Sequence, residues 1–500
     1  MFKRMLIANR GEIAVRIVRA CHDRGITPIL LCAEVDRASL AARLADEVYS
    51  VSGGGPRDIY LDIPGVIRAA RAVNADCLHP GYGFLSENPL LSAACAEAGI
   101  TFIGPSADAI RLLGNKNAAR QQMIASGVPV VPGSDGPIAD LETAQREAER
   151  IGYPVLIKAS NGGGGRGMRR VTSSAQLRDA FFSARSEAQA AFGSGDVYME
   201  RYIARPRHVE MQIAVDVHGN AVYLFERECS VQRRFQKMIE EAPSPALDDE
   251  TRRKMGEAAV RGAVSIGYHN LGTFEFLVDE ERNFYFLEVN TRLQVEHPVT
   301  EQITGVDLVC LQIDIAAGLP LPFKQEEVRF GEWAFEARIT CENVFANFVP
   351  DPGRVEYVEF PQGPGVRVDG QIFPGAVIPP YFDSLMCKLI VRGRTREEAR
   401  MRMLRALDEF IIAGVHSSLP FHRWAFRQEA FAKGDLSTHF LEEQDWDGFV
   451  RAHGGKGSPE EIARMAAALA VLGLKMPEAP PRATEDEMAA AAWRMAARKW

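Results

Sequence analysis

The chain has 500 residues, room for about three domains of ordinary size, so a single small binding module is excluded and cores can form without disulfide or metal staples. Its composition, 46% apolar, 25% charged and 8% aromatic, is that of a globular protein and excludes disordered, collagenous and membrane chains. Lys plus Arg number 58 against 66 Asp plus Glu, a net charge of −8, so nucleic acid is disfavoured as the main ligand and any bound anion must meet a local cluster of cations.

Residues Arg4 to Ala8 form a short apolar run, Asn9-Arg10-Gly11 is turn material, and Glu12 to Cys21 places Ile13, Ile17 and Ala20 at helical spacing. The apolar run is too short for a signal peptide. Further apolar runs at Thr27 to Cys32, Cys77-Leu78 and Ile100 to Ile103 alternate with Ala-rich helical stretches at Leu40 to Ala45, Gly65 to Val73 and Leu91 to Ala98. That alternation predicts an α/β domain built on a parallel sheet. From Arg111 a helix is expected to Ser126, then a second ending at Gly152-Tyr153-Pro154, then a strand from Val155 to Ala159 that runs into the glycine run at 160–167. Val209, Met211, Ile213 and Val215 alternate with His208, Glu210 and Gln212, the pattern of a half-buried strand with one polar face. Thr273 to Val278 and Phe284 to Val289, joined by Asp279 to Asn283, predict a hairpin. Gly331 to about Phe449 reads as short strands between Pro- and Gly-rich turns. Beyond Gly457, two capping signals, Ser458-Pro459-Glu460-Glu461 and Thr484-Glu485-Asp486-Glu487, predict two helices joined by a Pro-containing linker.

The eight cysteines form no C-x-x-C pair and have no zinc spacing, so they read as reduced, buried residues of a cytoplasmic protein. No stretch approaches the roughly 18 apolar residues of a membrane helix.

Four segments carry chemistry. Gly162, Gly163, Gly164, Gly165 and Gly167 follow a strand and leave backbone amides open to phosphate oxygens. The run lacks the ending of a Walker A loop and is equally compatible with a surface connection, but Lys158 on the preceding strand favours phosphate. Lys116 offers a second cation or a solvated helix lysine. In the hairpin, Glu275 and Glu288 interrupt apolar strands, and Glu288 and Asn290 share a face. Two carboxylates and an amide oxygen suit Mg²⁺ or Mn²⁺ on a nucleotide; the alternative is a structural salt bridge to Arg292 or Lys237. Asn290 to Pro298 then sets a cation, an amide and a carboxylate at Arg292, Gln294 and Glu296, an arrangement that can hold a small anion and accept its proton. Gln232 to Lys237 supplies a local positive field.

Five segments resemble biotin carboxylase, the ATP-grasp component of biotin-dependent carboxylases. They are I-A-N-R-G-E-I-A at 7–14, H-P-G-Y-G-F-L-S-E-N at 79–88, K-A-S-N-G-G-G-G-R-G-M at 158–168, Q-R-R-F-Q-K at 232–237 and E-V-N-T-R-L-Q-V-E-H-P-V-T-E at 288–301. The resemblance covers about residues 1 to 447. It implies a Rossmann-like N-terminal domain (1–112), an ATP-grasp domain (113–330) with a mobile lid (about 131–204) and a mixed C-terminal domain (331–449); the helical tail (450–500), expected from its own capping signals, lies beyond the resemblance and is open to subunit docking. It also implies that ATP phosphorylates bicarbonate to carboxyphosphate, which collapses to CO₂ and phosphate, and that the biotin ureido nitrogen is then carboxylated. By motif, Lys116, Lys158, the lid glycines, Glu200 and His208 correspond to nucleotide contacts and Lys237 to the cation that meets the transferred phosphate. Glu275, Glu288 and Asn290 correspond to ligands of Mg²⁺ or Mn²⁺. Arg292, Gln294 and Val295 correspond to the bicarbonate cradle, Glu296 to the base, Arg338 to the cation that stabilises the biotin enolate, and Tyr82 to the edge of the biotin pocket.

There are departures. Phe235 stands where many relatives have His, Asn161 replaces the first glycine of the lid run, and residues 340–353 lean towards pyruvate-carboxylase-type sequences. The string G-L-K-M-P at 473–477 lies between two expected helices and does not read as a biotin-bearing site. The expected partners are therefore a separate biotin carboxyl carrier protein or domain and a carboxyltransferase subunit, with a homodimer inside a larger complex and no nucleic acid or membrane. The final carboxyl acceptor, acetyl-CoA, another acyl-CoA or pyruvate, is not encoded in these motifs. The competing readings are another ATP-grasp carboxylate-amine ligase and a nucleotide-binding regulatory protein without turnover.

Overall fold

A computed structural model describes residues 1–159 and 168–453. The glycine run at 160–167 and the helices expected after 457 lie outside the described residues. The chain forms two compact units, one comprising Met1–Val130 with Arg205–Gly454 and a second built on Val131–Ala204.

The first unit opens with five parallel strands, β1 (Arg4–Ile7), β2 (Thr27–Ala33), β3 (Glu47–Val51), β4 (Cys77–His79) and β5 (Thr101–Phe102), in the order β3-β2-β1-β4-β5. The central strands are continuous apolar runs because helices cover both faces; Met5, Leu6 and Ile7 are fully buried. Strand β3 was not legible in the sequence. Its E-V-Y-S-V pattern is half exposed, and only the register with β2, from Ile29 opposite Glu47 to Ala33 opposite Val51, makes it a strand. The single helix expected from Arg111 is two, Ala107–Gly114 and Lys116–Ala125. Asn115 between them leaves helical geometry and its side chain accepts a hydrogen bond from the Ala118 amide at 3.0 Å, which starts the second helix at Lys116.

The second unit is a three-stranded antiparallel sheet, β6 (Val155–Ala159), β7 (Arg169–Val171) and β8 (Val197–Arg201), in the order β7-β6-β8. Helices Leu141–Ile151 and Ser174–Phe192 pack on it around Ile157, Phe181 and Met199. The first helix ends where expected, at Gly152, whose φ of +85° a side chain would oppose.

The remainder of the first unit is a larger sheet. Its strands are β9 (Arg207–Val215), β10 (Ala221–Arg233), β11 (Gln236–Ala242), β12 (Asn270–Val278), β13 (Phe284–Asn290) and β14 (Trp333–Thr340). Four short strands, β15 (Glu342–Asn343) with β16 (Val349–Pro350) and β17 (Tyr357–Glu359) with β20 (Ile411–Ala413), pair outside it, while β18 (Val366–Gly370) and β19 (Leu385–Gly393) extend it. Eight strands lie in the order β13-β12-β9-β10-β11-β14-β19-β18, so one sheet runs through the segments before and after residue 330. The hairpin β12–β13 forms as its pattern predicts. Strand β9 differs: its polar positions are sealed, with Glu210 and Gln212 fully buried, because they face charged side chains of neighbouring strands instead of water.

Register explains how those charges meet. Arg227, Glu210, Glu275 and Glu288 stand successively opposite one another across β10, β9, β12 and β13. Glu240 stands opposite Glu336 across β11 and β14, and Arg338 opposite Lys388 across β14 and β19. Opposed residues project to the same side, so the sheet carries a belt of buried charge. Among the described residues, all eight cysteines are unpaired and buried, and no helix is long and apolar enough to cross a membrane.

Candidate active site

Lys237, on β11, is the hub of the belt. Its Nζ donates to Glu275 Oε1 at 2.9 Å, to Glu296 Oε1 at 2.6 Å and to Glu210. Glu210 is also held by Arg227, which is completely buried and further donates to Gln212, Thr273 and Thr300. An ionised carboxylate is tolerated at such depth only when cations and donors replace its water, and the compensation here is shared among several partners.

Glu296 precedes the helix His297–Thr304 and is fully buried. Its second oxygen accepts from Arg338 Nη2 at 2.8 Å. Burial alone would raise this carboxyl, but Lys237, Arg338 and Arg227 together outweigh it and hold the group well below the usual carboxylate range. Burial likewise raises Glu275, and Lys237 with His208 reverses the effect. His208 Nε2 lies 2.9 Å from Glu275 Oε2.

The segment after β13 surrounds this pair. Asn290 Nδ2 donates to Glu275 at 2.8 Å, and Gln294 Nε2 lies 3.3 Å from the same oxygen. Arg292 donates to Asn290 Oδ1 at 3.0 Å, to Gln294 Oε1 at 2.9 Å and to Glu87 Oε2 at 2.8 Å. Glu288 faces Glu275 across the hairpin but pairs outward with Lys116 Nζ at 3.0 Å, and both of those side chains are well exposed. The salt bridge weighed as an alternative in the sequence is thus present between Glu275 and Lys237, whereas Glu288 is bound by neither Lys237 nor Arg292.

Tyr82 and Val295 are linked to each other through Glu12 and Lys388. The Tyr82 hydroxyl donates to Glu12, and the Val295 carbonyl accepts from Lys388 Nζ at 2.7 Å. Lys388 is fully buried and also lies 3.3 Å from Glu12 Oε1, which ties the two together. The loop bearing Tyr82 is pinned by Asn9, whose Nδ2 donates to the carbonyls of Pro80 at 2.6 Å and Tyr82 at 2.8 Å. Gly81 between them has φ +62°, and a Cβ there would lie 2.8 Å from the Asn9 amide.

Hydrogen bonds and ion pairs therefore gather His208, Lys237, Glu275, Asn290, Arg292, Gln294, Glu296 and Arg338 into one constellation, with Lys116 and Glu288 beside it. In the second unit, Lys158 Nζ hydrogen-bonds Glu200 across β6 and β8. Gly162, Gly163, Gly164, Gly165 and Gly167 lie outside the described residues. Phe235 occupies the tip of the β10–β11 hairpin, 67% exposed and with positive φ, as has Arg234. Glu12, Glu87, Glu210, Arg227, Glu240 and Lys388 belong to the network but were not singled out in the sequence. The available signal was a charge repeated within an apolar strand, as in E-R-E at 226–228 and E-E at 240–241.

As a donor set, Glu275, Glu288 and Asn290 fit a hard divalent cation: two carboxylates face each other in register, and the amide lies on the same strand face as Glu288. Lys237, Arg292 and Arg338 next to them form the local positive field that an anionic substrate requires in an acidic chain.

Comparison with known proteins bears on about nine-tenths of the chain. The profile of the biotin carboxylase N-terminal domain matches residues 1–110, that of the carbamoyl-phosphate synthase L chain ATP-binding domain residues 115–324, and that of the biotin carboxylase C-terminal domain residues 336–443. Biotin carboxylase 1 of Bacillus subtilis is 48% identical over 446 residues, 89% of this chain and 99% of the relative. A pyruvate carboxylase subunit of Methanothermobacter thermautotrophicus is 49% identical over 443 residues, 89% and 90% of the two chains. The biotin carboxylase domain of the Hydrogenobacter thermophilus 2-oxoglutarate carboxylase, solved as a dimer with MgADP, ADP and bicarbonate, superposes with a TM-score of 0.82 at 46% identity, covering 89% of this chain and 98% of that one. With profiles, identity and structure agreeing along the same residues, the chain belongs to the biotin carboxylase family.

Proposed function

We propose that this protein uses ATP and bicarbonate to carboxylate biotin held on a separate carrier protein, as the biotin carboxylase subunit of an acyl-CoA or pyruvate carboxylase. The observation that carries the reading is the Glu296 carboxylate suspended between Lys237 and Arg338, with Arg292 and Gln294 close by. One group can accept a proton there, and cations flank it on both sides.

Bicarbonate is held by Arg292, Gln294 and the Val295 backbone, and Glu296 takes its proton so that its oxygen attacks the γ-phosphorus of ATP. The products are ADP and carboxyphosphate, which releases CO₂ and phosphate. Lys237 meets the transferred phosphoryl oxygens, since phosphoryl transfer is catalysed chiefly by position and charge neutralisation. As Lys237 turns to phosphate it relaxes its hold on Glu296, whose basicity rises at the step that needs it. Mg²⁺ or Mn²⁺, held by Glu275, Glu288 and Asn290, would supply further neutralisation of the nucleotide's charge. Lys116, Lys158, Glu200, His208 and the glycine run at 162–167 bind the nucleotide, the latter as part of a lid over about 131–204; an N-terminal domain (1–112) and a C-terminal domain (331–449) complete the catalytic body. The phosphate released with CO₂ takes the ureido proton of biotin, Arg338, beside Tyr82, stabilises the enolate so formed, and the ureido nitrogen attacks CO₂ to give carboxybiotin. We place the protein in the cytoplasm on its eight unpaired cysteines, acting as a homodimer with its carrier and carboxyltransferase.

Arg338→Ala separates the two half-reactions. Bicarbonate-dependent ATP hydrolysis should persist in part while formation of carboxybiotin disappears; loss of nucleotide binding alone would overturn the assignment. The tail after residue 450 serves subunit docking in this reading, through the apolar sequence stripes of Ile462, Met465, Ala466, Leu469 and Leu472 and of Met488, Ala491, Ala492, Met495 and Trp500. Deleting residues 477–500 should leave carboxylation of free biotin near normal and loosen the holoenzyme, read by co-elution with the carboxyltransferase. Complete co-elution, or unfolding of the truncated chain, would remove the docking role.

A further inference from the structure

Behind Arg338 the belt holds more acid than its cations can neutralise. Glu240 and Glu336 stand opposite each other across β11 and β14, and both are fully buried. Glu240 Oε1 accepts from Arg338 Nε at 2.6 Å. Glu240 Oε2 and both oxygens of Glu336 accept no hydrogen bond from any described residue. Two carboxylates in this position would place like charges side by side with three oxygens neither solvated nor bonded, an arrangement that costs several kcal/mol.

We infer that Glu240 and Glu336 share one proton across the strand pair, and that the resulting acid–carboxylate couple is a positioning device that keeps Arg338 turned towards Glu296. This inference rests on the role proposed above for Arg338. The surroundings require the proton. Glu336 is faced by Glu240 from β11, Arg338 from its own strand, Lys388 from β19, Glu296 from the turn before the His297–Thr304 helix, and Tyr82 from its loop. Glu240 is faced by Arg338, Glu296 and Lys237. Those cations are already committed: Lys237 to Glu210, Glu275 and Glu296, Arg338 to Glu296 and Glu240, and Lys388 to Glu12 and the Val295 carbonyl. Among the described residues no cation is left to bond Glu336.

Burial is the main cause that raises both carboxyls; Arg338 and Lys237 lower Glu240, and Lys388 and Arg338 lower Glu336, without cancelling it, so Glu240 is pushed up to about 7 and Glu336 well above its usual value. A raised carboxyl keeps its proton at lower pH and loses it as pH climbs through the raised value. Above that point two full anions face one guanidinium, Arg338 is drawn away from Glu296, and the biotin-dependent step weakens.

Glu336→Gln tests this because the amide is neutral at every pH. Wild-type enzyme should show the infrared carbonyl band of a buried protonated carboxylic acid at neutral pH that disappears on alkalinisation, and the difference spectrum against Glu336→Gln should assign it. The alkaline limb of biotin-dependent turnover should shift up by about one pH unit or more in the variant, whereas biotin-independent ATP hydrolysis keeps its pH profile. A wild-type spectrum without an alkaline-titrating carboxyl band overturns the shared proton even if the variant fails to fold. An unmoved alkaline limb, or a loss of turnover equal at all pH values, overturns the positioning role. Absence of bicarbonate-dependent ATP hydrolysis in the wild type would instead refute the proposed function, while the infrared spectrum would still decide whether the proton is shared.

Discussion

Glu296→Gln is expected to lower biotin-dependent turnover by about 10²-fold or more while leaving nucleotide affinity little changed. The amide matches the carboxylate in shape and its oxygen still accepts from Lys237 or Arg338, so the pocket survives, but it cannot take the proton of bicarbonate. The same contacts fix the expected pH dependence. A carboxyl held below its ordinary value is ionised throughout the neutral range, and the stability it confers is lost only as pH falls through the depressed value. Titration of Glu296 therefore does not shape the profile near neutrality, and the variant should be impaired equally at each neutral pH. Weakened nucleotide binding with an intact chemical step would contradict the role.

Lys237→Met should have the largest effect on stability. It removes the cation shared by Glu210, Glu275 and Glu296 and leaves three buried carboxylates with reduced compensation. Breaking a buried ion pair from one side costs about 3–5 kcal/mol, and the loss should appear as a lower midpoint in chemical unfolding together with the disappearance of ATP-dependent turnover. Without Lys237 the burial that opposes ionisation of Glu275 and Glu296 is less offset, so these two carboxyls regain neutrality by protonation at higher pH than in the wild type. The stability gap to wild type should consequently narrow towards acid pH. An unchanged midpoint, or a gap that widens on acidification, would show that Lys237 does not hold the cluster together.

What was legible in the sequence was local. The apolar run from Arg4 to Ala8, the hairpin carrying Glu275 and Glu288, and the helix end at Gly152 each declare themselves within a few residues, through periodicity or turn chemistry. The segment from Asn290 to Glu296 was legible as a candidate cluster because its cation, amide and carboxylate lie on one short stretch, and the structure brings Asn290, Arg292 and Gln294 into contact. Glu210, Glu240, Glu336 and Lys388 were not, because a charge at an alternate strand position normally marks a solvent face. Only the register of β9 with β12, of β11 with β14 and of β14 with β19 turns those positions inward onto one another. The break at Asn115 was missed for a related reason: a capping asparagine inside a helical pattern is indistinguishable from a surface residue until its side chain is seen bonding the Ala118 amide.

The proposed function rests on one proton acceptor and two cations acting on bicarbonate and biotin in turn, and that is most directly tested by supplying the purified protein with ATP, Mg²⁺, labelled bicarbonate and free biotin. The account predicts ATP hydrolysis that depends on bicarbonate, is accelerated by biotin and deposits label on the biotin ring. Hydrolysis indifferent to bicarbonate, or label transferred to an amine and not to biotin, would contradict it.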